Sequence, residues 1–275
     1  MTTAIKPRVR LDDLLIGAGL IGGGANVIMQ LALPPVGHGV SESKVESGQL
    51  FRHPIKRSRT TNTYLSVALL GTPAEKKAFT RAVNRSHAKV RSDANSPVAY
   101  NAFDPDLQLW VAACLWRGFE DAYHFFGKRP LTDEEWEHLY QEAATLGTTL
   151  QVPPQRWPAD RAAFEDYWKA GMERISIDDR VRGYLYDVVM LRFLPRMISA
   201  PLGPVNKFFT IGFLPPQFRT EMRMSWSTRD QRRFDRAVRA IAAIARSLPT
   251  PIRKFPFNTY MWDVRRRIRT GQPLV

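Results

Sequence analysis

The segment that begins at Asp104-Pro105 is apolar on nearly every helical face, and it constrains the fold more than any other part of the chain. Apolar side chains from Leu107 to Phe119 occupy nearly all angles around a helix, so no side is left for water. An Asp followed by Pro is typical of a helix start. We therefore predict a buried central helix with other elements packed around it.

Helix-start signals in the rest of the chain predict that the surrounding elements are helices too. Thr72-Pro73-Ala74-Glu75 and Thr132-Asp133-Glu134-Glu135 are capping boxes, in which the Thr hydroxyl and the Glu carboxylate satisfy exposed backbone amides. Further helices are expected over about 160–175 and 178–191. The alternating run Ile175-Ser176-Ile177 is too short to indicate a sheet. The predicted fold class is all-α.

Composition favours one domain. The chain has 275 residues, 44% of them apolar, and no Gly/Ser-rich linker divides it. A single cysteine, Cys114, excludes a disulfide framework, and no charged, cleavable signal segment opens the chain, so we expect a cytoplasmic protein. We predict a single compact domain over residues 1–275, with a basic C-terminal part over 217–275.

His87 lies on the apolar stripe of the helix that starts at the first capping box. The preceding segment, 60–70, ends at Gly71 and is predicted to run back against that helix as a hairpin. This pairing brings the basic run Lys56-Arg57-Ser58-Arg59-Thr60 toward the His87 end. An inward imidazole beside guanidinium groups is a candidate ligand for a metal or a haem iron. A core histidine that is hydrogen-bonded to a carbonyl is the alternative interpretation.

No other pattern indicates a metal held directly by protein ligands. The sequence has no His-Glu-x-x-His pair, and one cysteine excludes a zinc site of several thiolates. The other histidines are scattered: His38, His53, His124 and His138. A metal at His87 is therefore expected to arrive inside a cofactor.

Four motifs, in this order and spacing, resemble those of a known family. They are Pro34-Pro35-Val36-Gly37-His38-Gly39-Val40, Lys56-Arg57-Ser58-Arg59-Thr60, Ser86-His87-Ala88-Lys89-Val90 and Tyr100-Asn101-Ala102-Phe103-Asp104-Pro105-Asp106-Leu107-Gln108-Leu109-Trp110-Val111. Over nearly its whole length the chain resembles the MpaB and latex-clearing-protein (rubber oxygenase) family. The resemblance implies an all-helical domain with a cofactor pocket, one non-covalently bound haem b, and dioxygen used to oxidise or cleave a hydrophobic substrate, often an isoprenoid.

The resemblance also implies roles for individual residues. His87 matches the proximal iron ligand, and Thr60 matches the Thr that closes the family's basic motif. Lys56, Arg57 and Arg59 are expected to bind the cofactor with His87. The rubber-cleaving members have Arg-x-x-Lys-Thr, whereas this chain has the two basic types exchanged.

That exchange changes what is expected at the sixth iron position. A guanidinium has no lone pair to give, so Arg59 is not expected to ligate iron. We expect an open or water-filled position, with Arg59 contacting a haem propionate or donating to bound oxygen. A solvated charge at a helix start is the alternative for Arg59.

A carboxylate after the apolar N-terminal stretch is the candidate for acid–base chemistry. Glu42 and Glu46 are the two possibilities, and Glu42 ranks first as a base whose pKa is raised by burial. The predicted catalytic residues are therefore Arg59, Thr60 and Glu42.

The stretch from Leu14 to Leu33 has no charged residue and is about long enough to cross a bilayer. Its glycines, together with Asn26 and Gln30 and the lack of an aromatic belt, instead favour a buried helix that lines the pocket. Glycines there allow a flat cofactor or another helix to approach the backbone. A membrane span is the alternative.

Positive charge is concentrated in the last part of the chain. Residues 217–275 hold fourteen Lys and Arg against four Asp and Glu, which is +10 of the net +14. This face suits peripheral contact with an anionic membrane, from which a lipid-soluble substrate enters. A solvated basic face is equally consistent, and nucleic-acid binding is disfavoured because no known binding motif is present. Two functions remain open, a haem b-dependent oxygenase and a non-catalytic haem- or lipid-binding protein.

Overall fold

The computed structural model describes residues 9–43, 45 and 49–275. The α-helices, in chain order, are α1 Gly23–Leu31, α2 Pro34–Ser41, α3 Pro54–Leu70, α4 Pro73–His87, α5 Pro105–Phe126, α6 Asp133–Ala143, α7 Thr145–Thr148, α8 Arg161–Met172, α9 Asp179–Val189, α10 Arg196–Phe213, α11 Pro216–Glu221, α12 Thr228–Ser247, α13 Thr250–Arg253 and α14 Phe257–Thr270. Short 3-10 helices span Leu11–Leu14, Gly17–Gly22 and Pro154–Arg156. In these described ranges, β-structure is limited to one isolated bridge. The all-α prediction is confirmed.

Helix α5 is the centre of the molecule, as its sequence predicted. The Asp104 carboxylate caps its start by accepting from the backbone amides of Asp106 and Leu107. Trp110 and Trp116 are fully buried. The Trp110 indole donates to the carbonyls of α1 and stacks on a second indole of α8, so one side chain ties three helices together.

The hairpin predicted around Gly71 is formed by α3 and α4. At its turn the Thr72 hydroxyl accepts from the Glu75 amide, while the Glu75 carboxylate accepts from the Thr72 amide. The C-terminal helix α14 packs along α3, and its Val264 joins a small core with Val67 of α3 and Phe79 of α4. Because α14 and α4 both pack against α3, its rotation about its own axis is fixed.

The apolar N-terminal stretch is not one continuous helix. It divides into the 3-10 helix Gly17–Gly22 and α1, and α2 then turns away by 110°. The run of glycines disfavours a continuous α-helix, and two prolines start α2. Within the described ranges, no single helix is both long and apolar enough to cross a membrane, and only the bent pair reaches the required length and hydropathy together.

The basic C-terminal part forms α12 and α14, both amphipathic. Phe234 and Val238 of α12 are buried, while most of its arginines face outward. The last part also exposes apolar side chains, with Phe255 and Trp262 each 59% exposed. Arg266 lies over the Trp262 ring. The predicted basic face beside aromatic residues is therefore present.

Candidate functional site

A cavity of about 700 Å³ lies alongside α5 and is walled by α1, α3, the end of α4, α9 and α10. Its surface is mostly apolar. Polar and ionisable side chains on that surface include Asn26, Gln30, Arg57, Thr60, Thr61, His87, Gln108 and Asp121. The volume is typical of sites that enclose a small molecule or a cofactor.

His87 is the last residue of α4, and its imidazole lines this cavity. The ring meets Phe103 edge-on, with the two ring centroids 6.3 Å apart. Its Nδ1 atom is buried without a hydrogen-bond partner, and no side-chain hydrogen bond joins the ring to the described part of the chain. The alternative of a core histidine held by a carbonyl is therefore not what the fold provides.

The charge state of His87 follows from its surroundings. Burial, and secondarily the positive charge of Arg57, lower the pKa of His87 to about 4. The imidazole is therefore neutral near pH 7 and keeps a nitrogen lone pair available. A neutral imidazole is the form that ligates a metal.

Side-chain amides hold the end of α4 against the start of α5. Gln108 donates to the side chain of Gln151, whose own amide donates to Asn84 Oδ1 over 2.9 Å. The Gln151 backbone amide in turn donates to Gln108 Oε1 over 2.8 Å. Asn84 precedes His87 by one helical turn, so this network positions the imidazole. No local sequence pattern marks this network, because Asn84, Gln108 and Gln151 are far apart in the chain.

One face of α3 brings the basic motif into the cavity. Arg57, Thr60, Thr61 and Tyr64 line it at helical spacings of three and four. The Arg57 guanidinium donates to Thr61 Oγ1 over 2.7 Å, and burial lowers its pKa. The Thr60 hydroxyl donates to the Lys56 carbonyl over 2.9 Å. Of the predicted basic-motif residues, Arg57 and Thr60 therefore share the cavity with His87.

Arg59 and Lys56 are placed elsewhere. Neither side chain is part of the cavity lining. Burial and the nearby charge of Arg267 lower the pKa of Arg59, and Asp263 of α14 opposes them, so its guanidinium faces the C-terminal helix. The Arg59 side chain therefore points away from the cavity that Arg57 lines. The expected contact of Arg59 with a propionate or with oxygen does not fit this position.

Glu42 lies in a polar cluster beside a smaller pocket of about 230 Å³. Its Oε1 lies 2.8 Å from His38 Nδ1, and its Oε2 accepts from the hydroxyls of Ser96 and Tyr100. Desolvation raises the pKa of Glu42, but these hydrogen bonds and the charge of Arg180 outweigh it, so the net pKa is lowered. The pKa expected from sequence was raised, so the environment is the reverse of the one predicted for a general base.

The second carboxylate considered for that role, Glu46, lies outside the described residues. The polar cluster also extends beyond Glu42, because His38 Nε2 lies 2.7 Å from Oδ2 of Asp178, the N-cap residue of α9. His38 is nearly fully buried, so these contacts join α2 to α9. The cluster is well placed to stabilise the fold beside the cavity.

Asp121 is a cavity residue that sequence analysis missed. It lies near the end of α5 and has no hydrogen bond or ion pair with the rest of the described chain. Burial, and then the charge of Glu120, raise the pKa of Asp121 to about 6, against the opposing charge of Arg117. The sequence does contain a signal for this site. Two adjacent acids, Glu120 and Asp121, lie in a mostly apolar helix that has a single arginine, Arg117.

Comparison with known proteins agrees with this architecture. A family model described as "ER-bound oxygenase mpaB/B'/Rubber oxygenase, catalytic domain" matches residues 14–243. Uncharacterised proteins of Mycobacterium bovis and Mycobacterium tuberculosis are each 49% identical over 252 residues, which is 91% of this chain and 98% of theirs.

A solved structure gives the same answer for the fold. Latex clearing protein in its closed state aligns with a TM-score of 0.51 at 17% identity, over 90% of this chain and 68% of that one. At this level of identity the likeness concerns the fold alone. The family model, which spans most of the chain and its central helix, establishes more: this protein belongs to the MpaB and rubber oxygenase family.

Proposed function

We propose that the protein is a haem b-dependent oxygenase acting on a hydrophobic substrate, with His87 as the iron ligand and dioxygen as co-substrate. The observation that carries the proposal is the neutral His87 imidazole, which lines a large apolar cavity with a buried nitrogen left unpartnered. Membership of an oxygenase family supports the reaction class.

The donor set around the cavity fits a haem. Arg57 is a partly buried cation on the cavity surface, and in the described part of the chain it bonds to a hydroxyl rather than to a carboxylate. A buried guanidinium without an anionic partner is costly, and a haem propionate supplies such a partner. Arg57 is therefore assigned the propionate contact that was expected of Arg59.

Bound haem supplies an iron centre that activates dioxygen. The chain contributes the surroundings. His87 would provide a nitrogen ligand to the iron, the apolar walls would exclude water and hold a hydrophobic substrate, and the hydroxyls of Thr60 and Thr61 line the cavity on the same helix as Arg57. Glu42 is assigned no proton transfer, because its oxygens are already engaged and its pKa is lowered.

Absorption spectroscopy tests the iron ligand. Purified protein, titrated with hemin, is expected to bind one equivalent and to develop a Soret band that His87→Ala loses. His124→Ala is the matched control, because His124 is an exposed histidine of α5 outside the cavity. A wild-type protein that takes up no hemin, or a His87→Ala variant with an unchanged Soret band, overturns the proposal.

Oxygen uptake then separates catalysis from binding. With squalene as a hydrophobic probe, the hemin-loaded protein is expected to consume dioxygen faster than free hemin does. Stoichiometric haem binding without any such consumption across a set of long-chain alkenes would favour the non-catalytic haem-binding alternative.

A further inference from the structure

The cavity is elongated along α5, with His87 near one end and Asp121 near the other. Gln108 is linked through Gln151 to Asn84, one turn before His87. Asp121 follows Gln108 by thirteen residues, which is about 20 Å at the rise of an α-helix. A ligand that reacts beside His87 and fills the cavity therefore extends toward Asp121.

The surroundings of Asp121 are set by the antiparallel course of α1 along α5. The Asn26 amide donates to the Cys114 carbonyl over 2.6 Å, and a side chain added at Gly19 would meet Ala122. The 3-10 helix Gly17–Gly22 therefore lies beside the last turns of α5. Leu20 of that helix lines the cavity and is 36% exposed, so this end lies close to solvent.

Asp121 differs from the acid next to it in having no partner. Glu120 pairs with Arg117 at 3.0 Å and with Arg161 at 3.2 Å. Asp121 forms no such pair with the described residues, although it is partly buried. Asn26 also lines this cavity, and its amide donates to the Cys114 carbonyl rather than to Asp121. The carboxyl group of Asp121 thus faces an apolar cavity with its oxygens free.

We propose that Asp121 binds the hydroxyl end of a long apolar substrate and selects such an alcohol over the carboxylate of the same chain length. This inference rests on the proposed function, because it assigns the substrate class of the same cavity. A hydroxyl both donates and accepts, so it bonds to a carboxylate and to a carboxylic acid alike. A carboxylate ligand instead places a second negative charge in a site of low dielectric constant.

The protonation of Asp121 gives the selectivity a pH dependence. Burial, with Glu120 adding and Arg117 opposing, raises the pKa of Asp121 to about 6. The other elements at this end present the uncharged side chains of Leu20, Asn26 and Phe213. Above pH 6 the repulsion of an anionic ligand is therefore in force, and below pH 6 it fades.

Calorimetric titration with 1-dodecanol and dodecanoate at pH 8 tests the proposal. We expect wild-type protein to prefer the alcohol, Asp121→Asn to bind dodecanoate at least tenfold more tightly than wild type, and Asp121→Leu to lose alcohol affinity at least fivefold. Asp166→Asn is the matched control, because it removes the same charge from a side chain that is 82% exposed. Unchanged ligand preference in Asp121→Asn, or binding of neither ligand by wild type, overturns the assignment.

A measurement on the wild type alone covers the case of a variant that does not fold. Dodecanoate affinity is expected to rise as the pH falls from 8 to 6 while dodecanol affinity stays constant, and a flat dodecanoate affinity contradicts the proposal. Both titrations are run with and without hemin. They read ligand occupancy directly, so a failure of the haem proposal and a failure of this one give different results.

Discussion

At one end of the cavity, burial lowers the pKa of His87 to about 4, and at the other end it raises the pKa of Asp121 to about 6. The shifts have opposite sign but one cause, since a site of low dielectric constant disfavours the charged form of either group. At each end a neighbour of like charge adds to the effect, Arg57 beside the imidazole and Glu120 beside the carboxyl. The two ends therefore differ in ligand chemistry. The His87 end offers a basic nitrogen, and the Asp121 end offers the oxygens of an acidic group.

The walls differ as well. At the His87 end, side-chain amides of Gln108, Gln151 and Asn84 join the helices. At the Asp121 end, glycines let the packed elements approach closely, and a Cβ added at Gly24 would lie 2.3 Å from Thr210 Oγ1. Flexible side-chain links allow local adjustment to a bound cofactor, whereas tight packing against a glycine leaves little room for it.

Acid titration of stability is the largest test of this contrast. His87 has a lowered pKa, from 6.5 to about 4, so its contribution is fully present above pH 6.5 and is lost as the pH falls toward 4, by roughly 3 kcal/mol. Asp121 has a raised pKa, from 3.8 to about 6, so its contribution is present below pH 3.8 and is lost as the pH rises through 6, by a similar amount. Between pH 4 and 6 the two ends oppose each other.

Variants that remove one end should therefore respond to acid in opposite directions. On going from pH 7 to 4.5, Asp121→Asn is expected to lose more unfolding free energy than wild type, and His87→Gln less, each by about 2 kcal/mol. Urea denaturation at the two pH values measures this. Asp166→Asn should follow the wild type, and the same pH dependence in all four proteins would refute the opposition of the two ends.

Sequence patterns predicted the elements that depend on neighbours in the chain. The caps at Asp104 and Thr72, the central helix and the inward position of His87 follow from local spacing, because helix starts and apolar stripes are encoded within a few turns. The pairing of α3 with α4 was likewise predicted from the turn at Gly71. The same features predicted that the imidazole and the basic motif face one pocket, and His87, Arg57 and Thr60 line one cavity.

Features that depend on distant contacts were not predictable in this way. Whether Arg57 or Arg59 faces the cavity is decided by the rotation of α3, and that rotation is fixed by α14, about 200 residues later in the chain. The lowered pKa of Glu42 likewise depends on a residue distant in the chain, because the charge of Arg180 in α9 contributes to it. Among the described residues, Asp121 has no ion-pair partner because Arg117 pairs with Glu120 and Glu165, and this becomes visible only in the structure.

The close packing around Gly24 gives a prediction of intermediate size. Gly24→Ala is expected to lower stability by roughly 1–3 kcal/mol, because the new methyl group meets the fully buried Thr210. Gly23→Ala is the matched control. No atom lies within 4 Å of its added Cβ, so the substitution should stabilise by about 0.5–1 kcal/mol through the unfolded chain.

Thermal denaturation measures both glycine variants. A loss of stability in Gly24→Ala with a gain in Gly23→Ala indicates that α1 packs tightly against Thr210 of α10. Equal, small effects on stability at the two positions would mean that the Thr210 side chain moves aside. The two ends of the cavity would then be equally adjustable.

The smallest expected effect concerns the charge beside the imidazole. Arg57→Met should raise the pKa of His87 by less than half of its total lowering, because burial is the larger of its two causes and persists in the variant. An NMR titration of the His87 ring measures this pKa. Arg81→Met is the control, because it removes an exposed arginine of α4, the helix that carries His87. Arg57 is not among the charges that shift the pKa of Asp121, so that pKa should stay unchanged. If the pKa of His87 is the same in Arg57→Met as in wild type, burial is the sole cause of its lowering. An anionic cofactor group would then have no reason to prefer the His87 end.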